Sequence, residues 1–436
     1  MPKHSFKEAF LHHVWQYQFF NKNNLLTTTG EKLQVLSPGI SNKNAGPDFY
    51  QSRLLIQGIE WHGSVEVHYK SSDWNKHLHL HDKAYNNVVL HLVWEQDAPS
   101  LRQDGTTIPT LELKNRVSQS LIEQYKAMLE TNEAIPCAGN LPQVEELYVK
   151  AMLERSLVER METKANEVLL LLHQNKSDWE ETCYQWIGKC FGFKTNSEAF
   201  VQLCHYIPYS ILRRYLTNSL QTEALLFGTA GFLESEWEEP YFAALKKEYQ
   251  YLVEKHALKK GMDTSEWKFM RLRPANFPTV RLAQFAALLS KTVNLLDFVL
   301  LDKKNLAQLK TKFDCELAPF WNTHFQFGKK GTKKRNPKIG IQSIENLIIN
   351  AIVPLRFAYA IEHDQQEDKE AILELLSQLP AEKNHILSLY TSLNFSNQNA
   401  YESQSLLQLH NAYCKKKACL SCTIGHAILH PVAATL

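Results

Sequence analysis

Asp48 follows Gly46-Pro47, and Glu66 stands in the run Gly63-Ser-Val-Glu-Val-His68, 66 − 48 = 18 residues further on. Two carboxylates brought within a few ångströms repel each other, so a site that pairs them calls for a cation between them. Oxygen donors at rigid strand ends suit Mg²⁺ or Mn²⁺. Such an ion stabilises the charge that builds on a phosphodiester during hydrolysis. Val65, Val67 and Tyr69 alternate with Glu66, His68 and Lys70. That period of two places the three polar side chains on one face of a strand. His68 is then available as a base or a metal ligand, and Lys70, about 6–7 Å further along the same face, as a second group to serve a water.

The run His77-Leu-His-Leu-His-Asp82, with His68 and His91, concentrates five imidazoles in 24 residues. Histidine is the commonest ligand of transition metals, so a zinc-dependent hydrolase of a substrate other than nucleic acid is an open alternative. Neither HExxH nor a comparable zinc spacing is present. A helix over 77–86 would put His77, His81 and Tyr85 on one face at i, i+4 and i+8, aimed at the metal or at a phosphate. His68 and His81 are the two histidines this pattern singles out.

The elements that must hold these residues are legible in outline. Apolar residues at helical spacing from Lys7 to Phe20 predict an opening helix. Strand patterns follow over 32–36, 49–56 and 59–70, the last two joined by the turn Gln57-Gly58. A strand over 88–94, interrupted only by His91, and another over 107–114 complete the region. Glu112-Leu-Lys114 in that last run repeats the Glu-x-Lys spacing, and its flanks Leu111 and Leu113 mark it as an ordinary edge strand. Beyond Val117 long helical periodicities dominate, with Pro208, Pro274, Pro278, Pro337 and Pro354 breaking them into separate helices. The expected division is a nuclease-like α/β domain over 1–117 and a mostly helical domain over 118–436.

Helix, three strands, helix, strand, with Pro47-Asp48 opening one strand and Glu66-Val67-His68 on the next, resembles the PD-(D/E)XK, or restriction-endonuclease-like, fold. The resemblance implies that Asp48, Glu66 and the Val67 carbonyl bind a catalytic Mg²⁺ or Mn²⁺. Glu8 stands where some members carry a further acid. His81-x-x-x-Tyr85 has the shape of the Gln-x-x-x-Tyr motif of RecB-type members, with His in place of Gln. The departure is His68, where the family places the lysine that handles the attacking water. The chain is also similar over nearly its whole length to an uncharacterised bacterial family, domain of unknown function 2851, common in Bacteroidetes. Its matching stretches are Asn44 to Phe49, Gly63 to His68 and Ser72 to Trp94.

Cys414-x₄-Cys419-x₂-Cys422 places three thiols within nine residues. Zinc or an iron–sulfur cluster needs a fourth ligand, and Cys137, His410 and His426 are the candidates. Some RecB-type nucleases pin their fold with an iron–sulfur cluster built from one upstream and three C-terminal cysteines, which by resemblance points to Cys137. Cys183, Cys190, Cys204 and Cys315 lie in helical contexts and read as core.

Residues 329–338, KKGTKKRNPK, carry Lys329, Lys330, Lys333, Lys334, Arg335 and Lys338 without an acid. They read as a loop able to follow a phosphate backbone. Arg271, Arg273 and Arg281 bracket a second basic turn that enters a helix, and Phe277, Phe325 and Phe327 stand nearby to stack on bases. Length predicts two or three domains in 436 residues, and 44% hydrophobic with 22% charged residues is globular composition. No apolar run reaches the roughly 18 to 20 residues that span a bilayer, and the N-terminus lacks a signal-peptide pattern. A cytoplasmic location without membrane contact is expected. The sequence thus points to a metal-dependent nuclease acting on DNA, or to a non-catalytic nucleic-acid-binding protein of the same fold that has lost the lysine.

Overall fold

The computed structural model of the protein describes residues 5–259, 261–301 and 305–430. The chain forms two compact units, Met1–Met152 with Leu409–Leu436, and Leu153–Gln408. The first unit is therefore assembled from both ends of the sequence.

Helix α1 (Ser5–Gln16) opens the first unit. It stops four residues short of the predicted Phe20. Gln18 adopts φ 59°, and the Phe19 N–H reaches back to the Val14 carbonyl at 2.9 Å, which closes the helix with a Schellman turn. Strands β1 (Leu33–Ser37), β2 (Ile40–Ser41), β3 (Phe49–Ile56), β4 (Ile59–Lys70), β5 (Val88–Glu95) and β6 (Thr110–Glu112) form one sheet in the order β1-β3-β4-β5-β6, with β2 also on β3. Pairing is antiparallel up to β4 and parallel from β4 to β6.

Each junction has a local cause. Gln57 and Gly58 both take positive φ (51° and 79°), so Ile56 and Ile59 pair across a two-residue hairpin turn. On β3 the register steps from Phe49↔Val65 to Ser52↔Gly63, one residue more than on β4, with Gln51 at φ 56°. This bulge twists the start of β3, where Asp48 sits. The predicted strand over 107–114 shortens to three residues. Leu111 and Leu113 are buried there, Glu112 accepts from the Gln96 N–H, and Lys114 pairs with Glu95, an edge-strand arrangement.

The two faces of β4 and β5 differ. Val65, Val67 and Tyr69 stand beside Leu90, Leu92 and Trp94 on the apolar face. Phe10 and Leu11 of α1 and Tyr125 of α3 (Gln119–Glu130) border one pocket with Tyr69 and Trp94, and Phe10 stacks on Tyr125 at 5.2 Å. This packing corrects the boundary expected at 117. Helix α3 buries Leu121, Tyr125 and Met128 within the first unit, which runs on to Met152 at the start of helix α4 (Glu146–Gln174).

Among the described residues the second unit is mostly helical, with a short hairpin of His324–Gln326 and Lys329–Lys330. Pro354 does not separate helices there. It follows a π-turn over Ile348–Ile352, and Ile341–Glu362 forms one continuous helix. The wider turn removes the amide bond that proline could not make. At 22 residues this helix is long and apolar enough to cross a membrane, yet 67% of its apolar window is buried inside the fold, as in a core helix.

Phe227, Trp321 and Phe327 pack together in the second unit, with ring centroids 5.3–5.5 Å apart. The Trp321 indole donates to Tyr241 Oη at 3.2 Å, and the Tyr241 hydroxyl donates to Glu223 Oε2 at 2.6 Å. Burial lifts Glu223 from 4.5 to about 7, against the lowering effect of the Tyr241 bond. The folded state therefore prefers the protonated acid. Its cost to stability is absent below pH 4.5, grows as pH rises, and is complete above pH 7. Glu223→Gln is expected to stabilise the protein by up to about 3 kcal/mol at pH 8 and by almost nothing at pH 4.5, since one pKa unit is worth 1.36 kcal/mol. Thermal melts at the two pH values check this; an equal gain at both would refute the assignment.

Candidate metal centre

The polar face of β4 and β5 carries Glu66, His68 and His91, all at most 5% exposed. Parallel register sets Glu66 beside His91. Asp48 reaches Glu66 from the bulged end of β3. Its backbone N–H donates to Glu66 Oε2 at 3.2 Å, while the Val67 N–H donates to Asp48 Oδ2 at 2.9 Å. Each carboxylate is thus held by an amide of the other's strand. His12 of α1 adds its Nε2 at 3.4 Å from Asp48 Oδ2. Burial opposes charge on His12, but the Asp48 hydrogen bond and the charges of Asp48, Glu66 and Glu8 hold its pKa above the ordinary value.

A short helix α2 (Asp73–Lys76) follows β4, and beyond it the predicted helix over 77–86 does not form. Leu78 takes the left-handed conformation at φ 59°, and separate 3₁₀ turns cover His79–His81 and Lys83–Tyr85. Asp82 caps the second turn by accepting from the Ala84 N–H. Asp and His are weak helix formers, and Asp prefers such local backbone bonds. The broken path changes which histidines matter. His79, not His81, turns inward, stacking on Tyr85 at 3.8 Å and meeting Trp74 edge-on at 5.2 Å. His81 is exposed and shares none of these contacts.

Two imidazoles converge on Glu66, and a third on His68. His68 Nε2 lies 3.6 Å and His79 Nε2 3.3 Å from Glu66 Oε1, and His68 Nε2 is 3.0 Å from His77 Nδ1. The metal-capable atoms of His68, His77 and His79 all lie within 4.8 Å of one another. Behind them runs a relay: His68 Nδ1 to His91 Nε2 at 2.8 Å, and His91 Nδ1 to Ser100 Oγ at 2.6 Å. Its protons can be ordered in either direction. When His68 Nδ1–H donates to His91 and His91 Nδ1–H to Ser100, the His68 Nε2 lone pair faces His77 Nδ1, and a cation could take the place of that hydrogen bond, as second-shell partners of metal-bound histidines generally arrange.

The electrostatics favour the neutral forms of these groups. Burial, then the charge of Asp48, pushes Glu66 well above the usual carboxylate range. Burial and the neighbouring His91, His79 and His77 drive His68 down to about 2. Burial and His79 drive His91 down to about 3. Burial raises Glu8, and burial with the charges of Glu66 and Asp48 pushes Tyr85 up to about 12. His79 Nε2 is buried and makes no aligned hydrogen bond despite its closeness to Glu66. Neutral imidazoles around a carboxyl, one with an orphaned nitrogen, are a donor set that fits a divalent ion. His77 is exposed and forms the open side.

Asp48, Glu66 and His68 are brought together by the two strands, Tyr85 joins them by stacking on His79 and not by the predicted helix face, and His81 and Lys70 are not brought to them. Lys70 points its Nζ to Asp97 at 3.8 Å and cannot stand in for a lysine at the acids. His12, His79 and His91 were missed. The interruption of an apolar strand by His91 was their plainest sequence signal.

The cysteines meet in the first unit, not in the helical one. Cys137, Cys414, Cys419 and Cys422 are each 6–8% exposed. Burial, then the three other thiols, pushes Cys137 above the ordinary thiol range, and burial with Cys422 and Cys414 pushes Cys419 up to about 12. The Lys417 ammonium donates to the carbonyls of Leu129 and Thr131, fastening the segment to the end of α3. Cys183, Cys204 and Cys315 are buried and Cys190 half-buried, as core residues.

The basic stretches only partly match their expected role. Lys329 and Lys330 lie in a strand, and with Lys333, Lys334, Arg271 and Arg273 they are exposed. Lys338 is paired with Asp314 and Glu316, and Arg335 bonds the His324 carbonyl and lies over Phe325 at 3.6 Å. Arg281 is 5% exposed and Phe327 6%, so neither offers itself to a polymer.

Comparison with curated proteins finds no match, and comparison with solved structures finds none either. A family model described as protein of unknown function (DUF2851) matches residues 8–385, which takes in the entire sheet, all the histidines of the centre and most of the helical unit. The chain belongs to the DUF2851 family.

Proposed function

We propose that the protein is a metal-dependent hydrolase of phosphodiester bonds in nucleic acid, with DNA as the favoured substrate, working in the cytoplasm. The observation that carries this reading is the convergence of Glu66, His68 and His79 beside Asp48 on a buried polar sheet face. A sheet antiparallel on one side of β4 and parallel on the other, with the two acids meeting on it, supports a restriction-endonuclease-like first unit. The four exposed lysines at 329, 330, 333 and 334 support a polyanionic substrate.

Glu66, His68, His77 and His79 would hold the ion. A nitrogen-rich set suits Mn²⁺ or Zn²⁺ better than Mg²⁺, which prefers oxygen. When bound, the ion supplies positive charge against the charge developing on the phosphoryl group. Asp48 fixes Glu66 through the crossed amides and favours the protonated form of His12. His68, neutral and oriented by His91 through Nδ1, would act as a ligand through Nε2 in place of its hydrogen bond with His77, and not as the base that lysine would be. His77, exposed, would close the open side of the ligand set. The nitrogen-rich set also favours a second reading, a zinc-dependent hydrolase of a substrate other than nucleic acid.

The test is cleavage of linear and circular DNA, single- and double-stranded, with Mn²⁺, Mg²⁺ or Zn²⁺ supplied in turn. Cleavage dependent on Mn²⁺ or Zn²⁺ is expected. Salt-sensitive binding with no cleavage in any metal would transfer the reading to a non-catalytic DNA-binding protein. Neither binding nor cleavage would leave the zinc hydrolase.

The four clustered thiols support a second, structural centre of Zn²⁺ or an iron–sulfur cluster, held by Cys137, Cys414, Cys419 and Cys422.

A further inference from the structure

The helix Pro278–Lys291 begins without a side-chain cap, since Phe277 occupies its N-cap and Pro278 its first position. The positive end of its dipole is therefore uncompensated by any capping group. Arg281 lies in this first turn and is 5% exposed. Its Nη1 donates to Gln284 Oε1 at 2.9 Å, and its Nη2 donates to Asn276 Oδ1 at 2.7 Å and Ser343 Oγ at 3.1 Å. The ring of Phe193 lies 4.3 Å from the guanidinium carbon.

Every one of those partners is neutral. A guanidinium carries five N–H donors; three are used here, and Nε has no partner. Burial alone depresses the Arg281 pKa to about 10, with no acid opposing it. Buried cations are ordinarily paired, because an isolated one is costly to desolvate. An arginine inside a fold with no counter-charge, at the positive end of a 14-residue helix, lacks an anion.

A pocket of about 180 Å³ opens against this side chain. Thr195, Asn276 and Ser343 supply its polar wall, and Phe193 and Phe200 its aromatic one, with no acidic residue in the lining. Arg271 and Arg273, exposed, flank the lining residue Leu272 in sequence.

We infer that this pocket in the second unit binds the phosphoryl group of a small phosphorylated molecule, with Arg281 and Ser343 as its principal ligands. Helix N-termini and guanidinium groups favour phosphate oxygens, and the aromatic wall suits a planar or apolar body attached to the phosphate. The volume admits a small molecule and not a polymer backbone. The inference is independent of the metal centre.

Thermal melts and calorimetric titration of the full chain test it, with inorganic phosphate and phenyl phosphate as probes. Sodium chloride at matched ionic strength and sodium acetate are the controls. A saturable rise in Tm with both phosphates, greater for phenyl phosphate, is expected. Ser343→Ala should weaken binding by roughly tenfold, the loss of one hydrogen bond to a charged ligand, and Arg281→Met should abolish it. Should Arg281→Met fail to fold, Ser343→Ala and Thr195→Val carry the test. Phosphate acting no better than chloride, stabilisation by acetate alone, or unchanged affinity in the Ser343 and Arg281 variants would overturn the assignment.

Discussion

Glu66→Gln is expected to lower the rate of metal-dependent cleavage by about 10³-fold or more, roughly 4 kcal/mol of transition-state stabilisation. Glutamine keeps the size of the side chain and an oxygen to accept the Asp48 N–H, so the fold should be preserved. What is lost is the carboxyl group, 3.3–3.6 Å from the His79 and His68 nitrogens, that a bound cation would hold as its carboxylate. Metal affinity, read by calorimetry, should fall together with rate. Lys70→Ala is the informative companion. Its ammonium is engaged with Asp97 and not with the acids, so its rate should stay within about threefold of wild type, the scale of an exposed ion pair. His81→Ala should be equally mild. A Glu66→Gln protein that cleaves as fast as wild type would remove the centre from the mechanism. A Lys70→Ala protein as inactive as Glu66→Gln would show that the lysine reaches the substrate after all.

Cys419→Ser should empty the thiolate centre. Structural zinc sites contribute about 10–16 kcal/mol of apparent binding energy in small isolated modules; in a unit with its own sheet and core the loss is expected to be several kcal/mol, concentrated in the first unit. Elemental analysis should show about one fewer zinc, or the loss of iron and of visible absorbance if the centre is a cluster. Limited proteolysis should then cut near residues 409–430. Cys315→Ser is the control, because its thiol sits in the other unit and bonds the Lys312 carbonyl. Equal metal content in wild type and Cys419→Ser would dispose of the centre.

The parts of this architecture governed by short-range rules were legible beforehand. Strands β3 and β4 match their predicted limits because alternation and the Gln57-Gly58 turn both fix them. The meeting of Asp48 with Glu66 followed from that hairpin. His81 was chosen over His79 because a helix was assumed across 77–86, and one left-handed residue, Leu78, reverses which side chains face inward. No periodicity announces such a residue. His12 and His91 reach the site through the packing of α1 and the parallel register of β5, both set by contacts distant in sequence. Arg281 looked like a phosphate contact on the surface because charge is visible in a sequence and burial is not. The four cysteines were recognisable by spacing, but their place in the first unit depends on where the chain returns.

That return has a consequence for biosynthesis. The separation of 277 residues from Cys137 to Cys414 (414 − 137) includes the whole of the second unit, which can therefore leave the ribosome and fold before the first is closed. At elongation rates of about 5–20 residues per second, Cys137 waits on the order of 14 to 55 seconds for its first partner thiol to be made. Throughout that interval the sheet bearing Glu66 can form, while the end of α3 lacks the segment that Lys417 fastens to it. A nascent chain of this protein is expected to need protection of one thiol and one uncovered helix end until its last stretch emerges.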